Sequence, residues 1–300
     1  VALYSKCGSL AMAKEVFYCL PVQHVVAWTS LVTGYVERGD CEEALTCLEQ
    51  MKLEGVFPNT VTYICSLKAC SSLRDIVKGQ KIHVEIIIQG LSTNNVVVGN
   101  ALIDMYAKCG YIGVAKTVFD MLPAQDAVSW TSLITGYALH GQGEQALSCF
   151  ELMELDGITP DDVTLLCVLK ACSSVGEMEK GQKIHAEIAR KGLLERDLVG
   201  NTLVDMYAKC GLILKAHEMF DKLRVQDVVS WNALIGGYTD HGRGEEALDL
   251  FNQMQHKGIA RDAITFVCAL KACGMIGAPN KGRKIHDEIT ENGLLKKDFL

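Results

Sequence analysis

The chain of 300 residues contains three copies of one unit, and this repetition constrains its fold more than any other feature. Trp28, Trp130 and Trp231 mark the copies, which follow one another after 102 and then 101 residues. Two motifs recur at the same offsets. They read Tyr-Ser/Ala-Lys-Cys-Gly from Tyr4, Tyr106 and Tyr207, and Lys-Ala-Cys from Lys68, Lys170 and Lys271. This periodicity predicts a repeat protein in which units pack on their neighbours, rather than two ordinary domains.

Each copy divides again into blocks of 35, 36 and 31 residues, and every block ends on Asp or Asn. The second short block has 30 residues because it lacks the first one, so Leu198 and Asn201 take its second and fifth positions. The predicted blocks are 25–59, 60–95, 96–126, 127–161, 162–197, 198–227, 228–262 and 263–298. Residues 1–24 are interpreted as the end of another short block, and residues 299–300 as the start of the next. One continuous array of repeats is therefore expected.

The apolar residues within a block follow a helical period. In block 127–161, Trp130, Leu133, Ile134 and Tyr137 occupy one helix face, and a second apolar set begins after the turn at 140–143. Each block is thus predicted to be a helix–turn–helix hairpin. A lone hairpin cannot bury both faces, so the hairpins stack into an all-α solenoid whose first helices line one surface. About 17 helices and no strands are expected; the periodicity leaves the handedness of the solenoid open.

Composition excludes several classes of function. No apolar stretch is long enough for a membrane helix. The net charge of −7 argues against binding phosphates by bulk electrostatics. Cys65 and Cys70 are five residues apart and recur once per copy, which favours reduced, packed cysteines over a zinc site. His83 recurs in the same way, and no nucleophile or phosphate-loop motif is present. We therefore expect no metal, no cofactor, no small-molecule substrate and no catalysis within this chain.

Short sequence motifs indicate the family to which the repeat is similar. The tetratricopeptide pattern matches only in part, and no block has its 34-residue length. By contrast, the sequence resembles the pentatricopeptide repeats of land-plant organelles, in the subclass that alternates P, L and S repeats of about 35, 36 and 31 residues. The segments that carry the resemblance are Val128–Tyr137, Gly143–Leu147, Gly157–Asp161, Leu169–Cys172, Gly181–His185 and Asn201–Gly211. The resemblance covers nearly the whole chain and implies a right-handed superhelical solenoid.

The resemblance also implies sequence-specific binding of single-stranded RNA, one nucleotide per repeat. In this family the fifth and last residues of a repeat select the base. The corresponding pairs are Thr29 with Asn59, Asn100 with Asp126, Thr131 with Asp161, Asn201 with Asp227, and Asn232 with Asp262. By the family's code they favour A, U, G, U and U respectively. The 36-residue blocks have Ile64, Leu166 and Val267 at the fifth position, which cannot hydrogen-bond a base, so the predicted target is 5′-A-x-U-G-x-U-U-x-3′.

Two further sets of residues have expected roles by the same resemblance. The second residue of each block is apolar, and it is expected to sandwich bases, with plain helix packing as the alternative. The members of this set are Val26, Val97, Val128, Leu198 and Val229. Lys108 and Lys209 correspond to a lysine that contacts phosphate, with a solvated surface lysine as the alternative. Since the block-ending aspartates border the same groove, base contacts are expected to dominate affinity, with a weak dependence on salt.

The family resemblance places the protein in a mitochondrion or a chloroplast, with any targeting segment outside this chain. It implies a role in organellar RNA processing, most often recognition of sites for C-to-U editing. The expected partners are single-stranded RNA and RNA-editing factors or a deaminase domain beyond residue 300, without a membrane. The alternative function is that of a peptide-binding scaffold resembling tetratricopeptide proteins.

Overall fold

The computed structural model describes residues 1–91, 95–194 and 196–291, in which eighteen α-helices and no strand occur. The helices are α1 Ala2–Lys6, α2 Leu10–Tyr18, α3 Val25–Arg38, α4 Cys41–Leu53, α5 Thr60–Leu73, α6 Ile76–Ile88, α7 Val96–Lys108, α8 Ile112–Asp120, α9 Ala127–Leu139, α10 Gly143–Leu155, α11 Asp162–Val175, α12 Met178–Arg190, α13 Asp197–Lys209, α14 Ile213–Asp221, α15 Val228–Asp240, α16 Gly244–His256, α17 Ala263–Met275 and α18 Pro279–Glu291. One helix more than expected is present because the first 24 residues form a pair, α1 and α2. The predicted block end at Asp298 and residues 299–300 lie outside the described residues.

Block-ending side chains start the first helix of the following hairpin. Five block-ending residues are N-caps whose side chains accept a hydrogen bond from a backbone N–H in the first turn: Asn59 of α5, Asn95 of α7, Asp126 of α9, Asp227 of α15 and Asp262 of α17. Such a cap satisfies one of the donors that an isolated helix end leaves unpaired. Asp197 differs, because α13 begins at this residue and Arg196 precedes it. The Asp or Asn that ends most predicted blocks is thus a structural element of the next helix.

The described residues form two compact units, one up to Asp161 and the other from Asp162 onward. In the first unit, the first helices of successive hairpins pack side by side in the order α1, α3, α5, α7 and α9. In the second unit, α11, α13, α15 and α17 pack in the same way. The second helices α4, α8, α14 and α16 each contact both their own first helix and that of the next hairpin. Within each unit the first helices therefore form a continuous layer.

Two contacts that repeat along the chain hold neighbouring hairpins together. Trp130 and Trp231 are 95 % or more buried, and they meet Phe119 and Phe220 of the preceding hairpins edge to face, with ring centroids 4.6 and 4.8 Å apart. The first helices also approach closely at Gly136, where an added Cβ would lie 2.6 Å from Cβ of Ala107. The recurring Trp and Gly are therefore packing residues of the repeat.

The recurring histidines and cysteines have mainly structural surroundings. The Nδ1 atoms of His83 and His185 lie 2.9 and 2.7 Å from the hydroxyls of Tyr106 and Tyr207 in the next hairpin. Five cysteines are buried, six are partly exposed and two are exposed, so the expectation of packed cysteines holds for only part of the set. Among the described residues, no cluster of three or more His, Cys, Asp or Glu side chains is arranged to hold a metal ion. In the same ranges, every helix is too short or too polar to cross a membrane.

Candidate nucleic-acid interface

Two of the predicted base-selecting pairs meet directly in the same geometry. The Nδ2 atom of Asn100 donates to both carboxylate oxygens of Asp126 at 3.0 and 3.2 Å. Asn201 donates to Asp227 at 3.1 and 3.0 Å. Because a carboxylate only accepts hydrogen bonds, this contact determines which end of the amide faces it. Each Asn therefore retains one amide proton that is not directed at the carboxylate.

A third pair, Asn232 with Asp262, has the same contact and one more. Asn232 donates to the two oxygens of Asp262 at 2.9 and 3.0 Å. Its own carbonyl oxygen accepts a hydrogen bond of 2.6 Å from the hydroxyl of Thr265, which also lies 2.8 Å from Oδ1 of Asp262. The carbonyl oxygens of Asn100 and Asn201 are buried and accept no hydrogen bond from the described residues. The three asparagines thus differ in whether their carbonyl oxygen accepts a hydrogen bond.

Two of the aspartates that orient these amides, Asp126 and Asp262, have a lowered pKa, which favours the ionised form. At Asp126, burial acts to raise the pKa, but the hydrogen bonds from the backbone and hydroxyl of Ser129 and from Asn100 outweigh it, so the pKa is lowered. At Asp262, burial is likewise outweighed by hydrogen bonds from Thr265 and Asn232, and the pKa is again lowered. The acceptor face that orients Asn100 and Asn232 is therefore present at neutral pH.

Thr29 and Asn59 are connected through a third side chain instead of directly. The hydroxyls of Thr29 and Thr62 are 2.7 Å apart, and the Thr62 hydroxyl also lies 3.0 Å from Oδ1 of Asn59. Thr29 in addition contacts its helix backbone at the oxygen of Val25, at 2.7 Å. Two hydroxyl protons are therefore shared among these oxygens, and Thr62 connects the predicted pair.

The remaining predicted pair lies in the first unit. Thr131 is a partly exposed residue of α9, in the position equivalent to Thr29 of α3. Asp161 is exposed and directly precedes α11. The assignment of this pair to a base therefore rests on its position in the repeat and stays a prediction.

The second residues of the blocks project from the helix layer. The side chains of Val26, Val97, Val128, Leu198 and Val229 are between 56 and 67 % exposed, whereas Val98, the neighbour of Val97, is 1 % exposed. Their exposure is inconsistent with the alternative that these apolar residues pack between helices. A row of exposed apolar side chains at one register of the first helices can contact the faces of flat ligands such as bases.

Open grooves bring the three kinds of predicted residue together. In the second unit, a groove of about 710 Å³ is lined by residues that include Leu198, Asn201, Asp227, Val229, Asn232 and Asp262. In the first unit, a smaller groove of about 290 Å³ is lined by Val26, Thr29 and Asn59, among others. Apolar second residues and polar fifth and last residues therefore line one groove in the second unit, and at least one member of each kind lines the groove in the first unit.

The two lysines expected to contact phosphate are already paired. Nζ of Lys108 lies 2.8 Å from Asp104, and Nζ of Lys209 lies 2.9 Å from Asp205, one helical turn earlier in each case. Both aspartates also accept a hydrogen bond from a serine of the preceding first helix, Ser71 and Ser173, at 2.7 Å. Each lysine is partly exposed, so it can reach a ligand, but its charge is compensated locally.

Comparison with known proteins identifies the repeat. A sequence model described as the PPR repeat family matches residues 23–72, 125–174 and 226–275, and a model of the PPR repeat matches residues 100–125 and 201–228. PPR stands for pentatricopeptide repeat. The chain belongs to the pentatricopeptide repeat family.

Among curated relatives, the pentatricopeptide repeat-containing protein At5g27110 of Arabidopsis thaliana is 37 % identical over 289 residues, which are 96 % of this chain and 42 % of the relative. The pentatricopeptide repeat-containing protein DOT4, chloroplastic, of the same plant is 42 % identical over 93 % of this chain and 32 % of its own length. The chain thus spans less than half the length of either of these relatives.

Among solved structures, the pentatricopeptide repeat protein PPR10 in complex with an 18-nt psaJ RNA element aligns with a TM-score of 0.80 at 21 % identity. The alignment covers 97 % of this chain and 43 % of PPR10. PPR10 from maize in a further crystal structure aligns with a TM-score of 0.66 at 20 % identity, over 97 % of this chain and 42 % of that one. The all-helical repeat fold predicted from the sequence is confirmed.

Proposed function

We propose that this chain binds single-stranded RNA in a sequence-specific manner, one nucleotide per repeat. The observation that carries the proposal is the repeated Asn–Asp contact beside an exposed apolar side chain, as at Asn201, Asp227 and Val229 in one groove. The amide offers hydrogen bonds to a base edge, and the apolar residue offers a surface to the base face. The crystal structure of PPR10 bound to RNA supports this proposal, because the two proteins share a fold.

The selecting pairs give the proposed target 5′-A-x-U-G-x-U-U-x-3′. Thr29 with Asn59 reads the first nucleotide, Asn100 with Asp126 the third and Thr131 with Asp161 the fourth. Asn201 with Asp227 reads the sixth, and Asn232 with Asp262 the seventh. The nucleotides written x face the 36-residue blocks, whose fifth residues are apolar. This assignment uses the family's code and the alternation of P, L and S repeats.

Equilibrium binding to synthetic RNA tests the proposal. The chain is titrated into the octamer within a uniform flanking sequence, and into the same RNA with G in place of U at the third nucleotide. We expect at least about tenfold weaker binding to the variant, because a purine facing Asn100 loses its hydrogen bonds and crowds the groove. Equal affinities for the two RNAs would contradict the code or the register, and binding to neither would contradict the function.

The wider role that we propose is organellar RNA processing, in a chloroplast or a mitochondrion. A relative named chloroplastic and the P, L and S block lengths support this, and recognition of a C-to-U editing site is the role most consistent with that subclass. In this proposal the chain itself is a recognition module without catalytic activity, and a deaminase is supplied by a further domain or a partner. Editing of a transcript that contains the octamer, lost on deletion of the gene, is the expected result.

A further inference from the structure

The third residue of two 36-residue blocks contacts the fifth residue of the block before it. Thr62 lies 2.7 Å from the hydroxyl of Thr29. The hydroxyl of Thr265 donates to the carbonyl oxygen of Asn232 at 2.6 Å, the shorter of its two contacts with an acceptor, the other being Oδ1 of Asp262 at 2.8 Å. Both threonines are fully buried, so each hydroxyl faces only protein. Thr62 and Thr265 are outside the predicted fifth and last positions, yet each contacts a side chain proposed to read a base.

The equivalent residue of two 35-residue blocks is a serine that points elsewhere. The hydroxyl of Ser129 donates to the backbone oxygen of Asp126 at 2.8 Å, and that of Ser230 to the backbone oxygen of Asp227, also at 2.8 Å. The preceding asparagines, Asn100 and Asn201, consequently have carbonyl oxygens that accept nothing from the described residues. A β-branched Thr is restricted in χ1, whereas Ser rotates more freely, which accounts for the two directions.

The presence or absence of the threonine contact changes which hydrogen bonds the asparagine can form with a base. At Asn232 the carbonyl oxygen already has a donor, so turning it toward a base would cost the bond to Thr265. At Asn100 and Asn201 the carbonyl oxygen is also buried and reaches a base only if the side chain turns, but it has no such bond to lose, and a base N–H would be its first donor. Asn232 is therefore held with only an amide N–H to offer, while the other two amides can turn to offer an acceptor as well as a donor.

Uracil and cytosine respond differently to these two arrangements. A single N–H donor is accepted equally well by a carbonyl oxygen of uracil and by N3 or O2 of cytosine. A donor and an acceptor together fit uracil in either order, because its N3–H lies between two carbonyl groups. They fit cytosine in one order only, since its single donor is the amino group at the end of the edge.

We propose that Thr265 is a positioning residue that weakens the discrimination between uracil and cytosine at Asn232. The proposal rests on the RNA-binding function proposed above. It implies that the 35-residue blocks followed by a threonine-bearing block read their base with three side chains instead of two.

Wild-type protein already provides an internal test. The octamer, with A at the unspecified nucleotides, is compared with RNAs that carry C in place of U at the third, sixth or seventh nucleotide. We expect each change at the third or sixth nucleotide to weaken binding about threefold more than the change at the seventh, the value of one neutral hydrogen bond. Equal losses at the three nucleotides would overturn the proposal while leaving the RNA-binding function intact.

Two reciprocal substitutions test the role of the threonine. Thr265→Ser, which installs the residue found at 129 and 230 and keeps a hydroxyl for the cap, should raise the loss at the seventh nucleotide to that at the sixth. Ser230→Thr should lower the loss at the sixth, and neither variant should alter the third. A merely structural role would change affinity for all the RNAs alike, and that outcome, or an unchanged seventh position in Thr265→Ser, would overturn the proposal. If the wild-type protein bound none of these RNAs, the proposed function and this inference would be overturned together.

Discussion

Asn201 of α13 donates from its amide nitrogen to both carboxylate oxygens of Asp227, over 3.1 and 3.0 Å, while Asp227 caps α15 of the next hairpin. One carboxylate thus orients a candidate base-selecting amide and starts a helix. The contact proposed to select a base and the joint between two repeats are therefore coupled through a single side chain. For this reason the fifth residue is a better target for mutation than the last, whose loss would also remove a helix cap worth about 1 kcal/mol.

The double variant Asn100→Ala/Asn201→Ala is expected to bind the octamer at least about tenfold more weakly, because two amides no longer contact bases. Its melting temperature should stay close to that of the wild type, since the N-caps Asp126 and Asp227 are retained. Fluorescence anisotropy and thermal unfolding measure the two effects. Asn252→Ala, at an exposed position of α16, is the matched control and should leave the affinity unchanged. An unchanged affinity for RNA in the double variant would favour a peptide-binding scaffold.

Val97 and Val98 are adjacent, and their exposures of 60 % and 1 % predict opposite effects of the same substitution. Val97→Ser should weaken RNA binding by about 1 kcal/mol with stability changed by no more than about 0.5 kcal/mol, as for an exposed residue that contacts only the ligand. Val98→Ser should reduce the free energy of unfolding by about 2 kcal/mol, because it places a hydroxyl and a void in the core. A larger loss of stability in Val97→Ser would indicate helix packing and contradict the base-sandwich role.

The affinity for RNA is expected to depend weakly on salt concentration. Lys108 and Lys209 are paired with Asp104 and Asp205, so few uncompensated cations face the groove from these positions. Each phosphate neutralised on a single strand contributes about −0.7 to the slope of log K against log salt, and we expect a total no steeper than about −2. Titrations between about 50 and 300 mM salt measure this slope. A slope near about −5 would show that other lysines bind the phosphate backbone.

A decrease of pH from about 7 to 5 is expected to destabilise the fold through His83 and His185. Burial lowers the pKa of both imidazoles below the ordinary 6.5, with Lys215 and Lys222 adding to the effect at His185. The folded state disfavours the protonated form, so stability is fully present above about pH 6.5 and decreases as pH falls through the folded-state pKa values. Urea unfolding at several pH values should show a shallower decrease in His83→Gln/His185→Gln. Parallel curves for the two proteins would contradict this assignment.

Much of the fold was predictable because its causes are local in the sequence. The spacing of Trp130, Leu133, Ile134 and Tyr137 indicates a helix face directly, and the offsets of 102 and 101 residues reveal the repeat. The direct contacts of Asn100 and Asn201 with the following aspartates lie where the family's pattern places the selecting pair. The periodicity of the sequence alone thus predicts the hairpins and the positions in the repeat at which the candidate site residues lie.

Contacts between repeats were not predictable to the same degree. The role of Thr62 and Thr265 depends on which neighbouring side chain a buried hydroxyl faces, and a lone Thr in a helix carries no signal for it. Lys108 and Asp104 have the i, i+4 spacing of a helical ion pair, so their pairing had a signal in the sequence.

Arg261 makes further contacts that the sequence motifs do not indicate. It replaces the proline found at 58 and 160, and its side chain is 5 % exposed. Its guanidinium donates to both carboxylate oxygens of Glu288 at 2.7 and 2.9 Å and lies 3.6 Å from the ring centroid of Phe251. The buried side chain of Arg261 thus connects α16 with α18, because its long stem reaches partners that are distant in the sequence.

Selection from a random RNA pool, followed by sequencing of the bound molecules, tests most directly whether each selecting pair reads one nucleotide. We predict enrichment of 5′-A-x-U-G-x-U-U-x-3′, with the third and sixth nucleotides more strictly U than the seventh. Enrichment of an unrelated motif, or of none, would contradict the assignment of one nucleotide to each selecting pair.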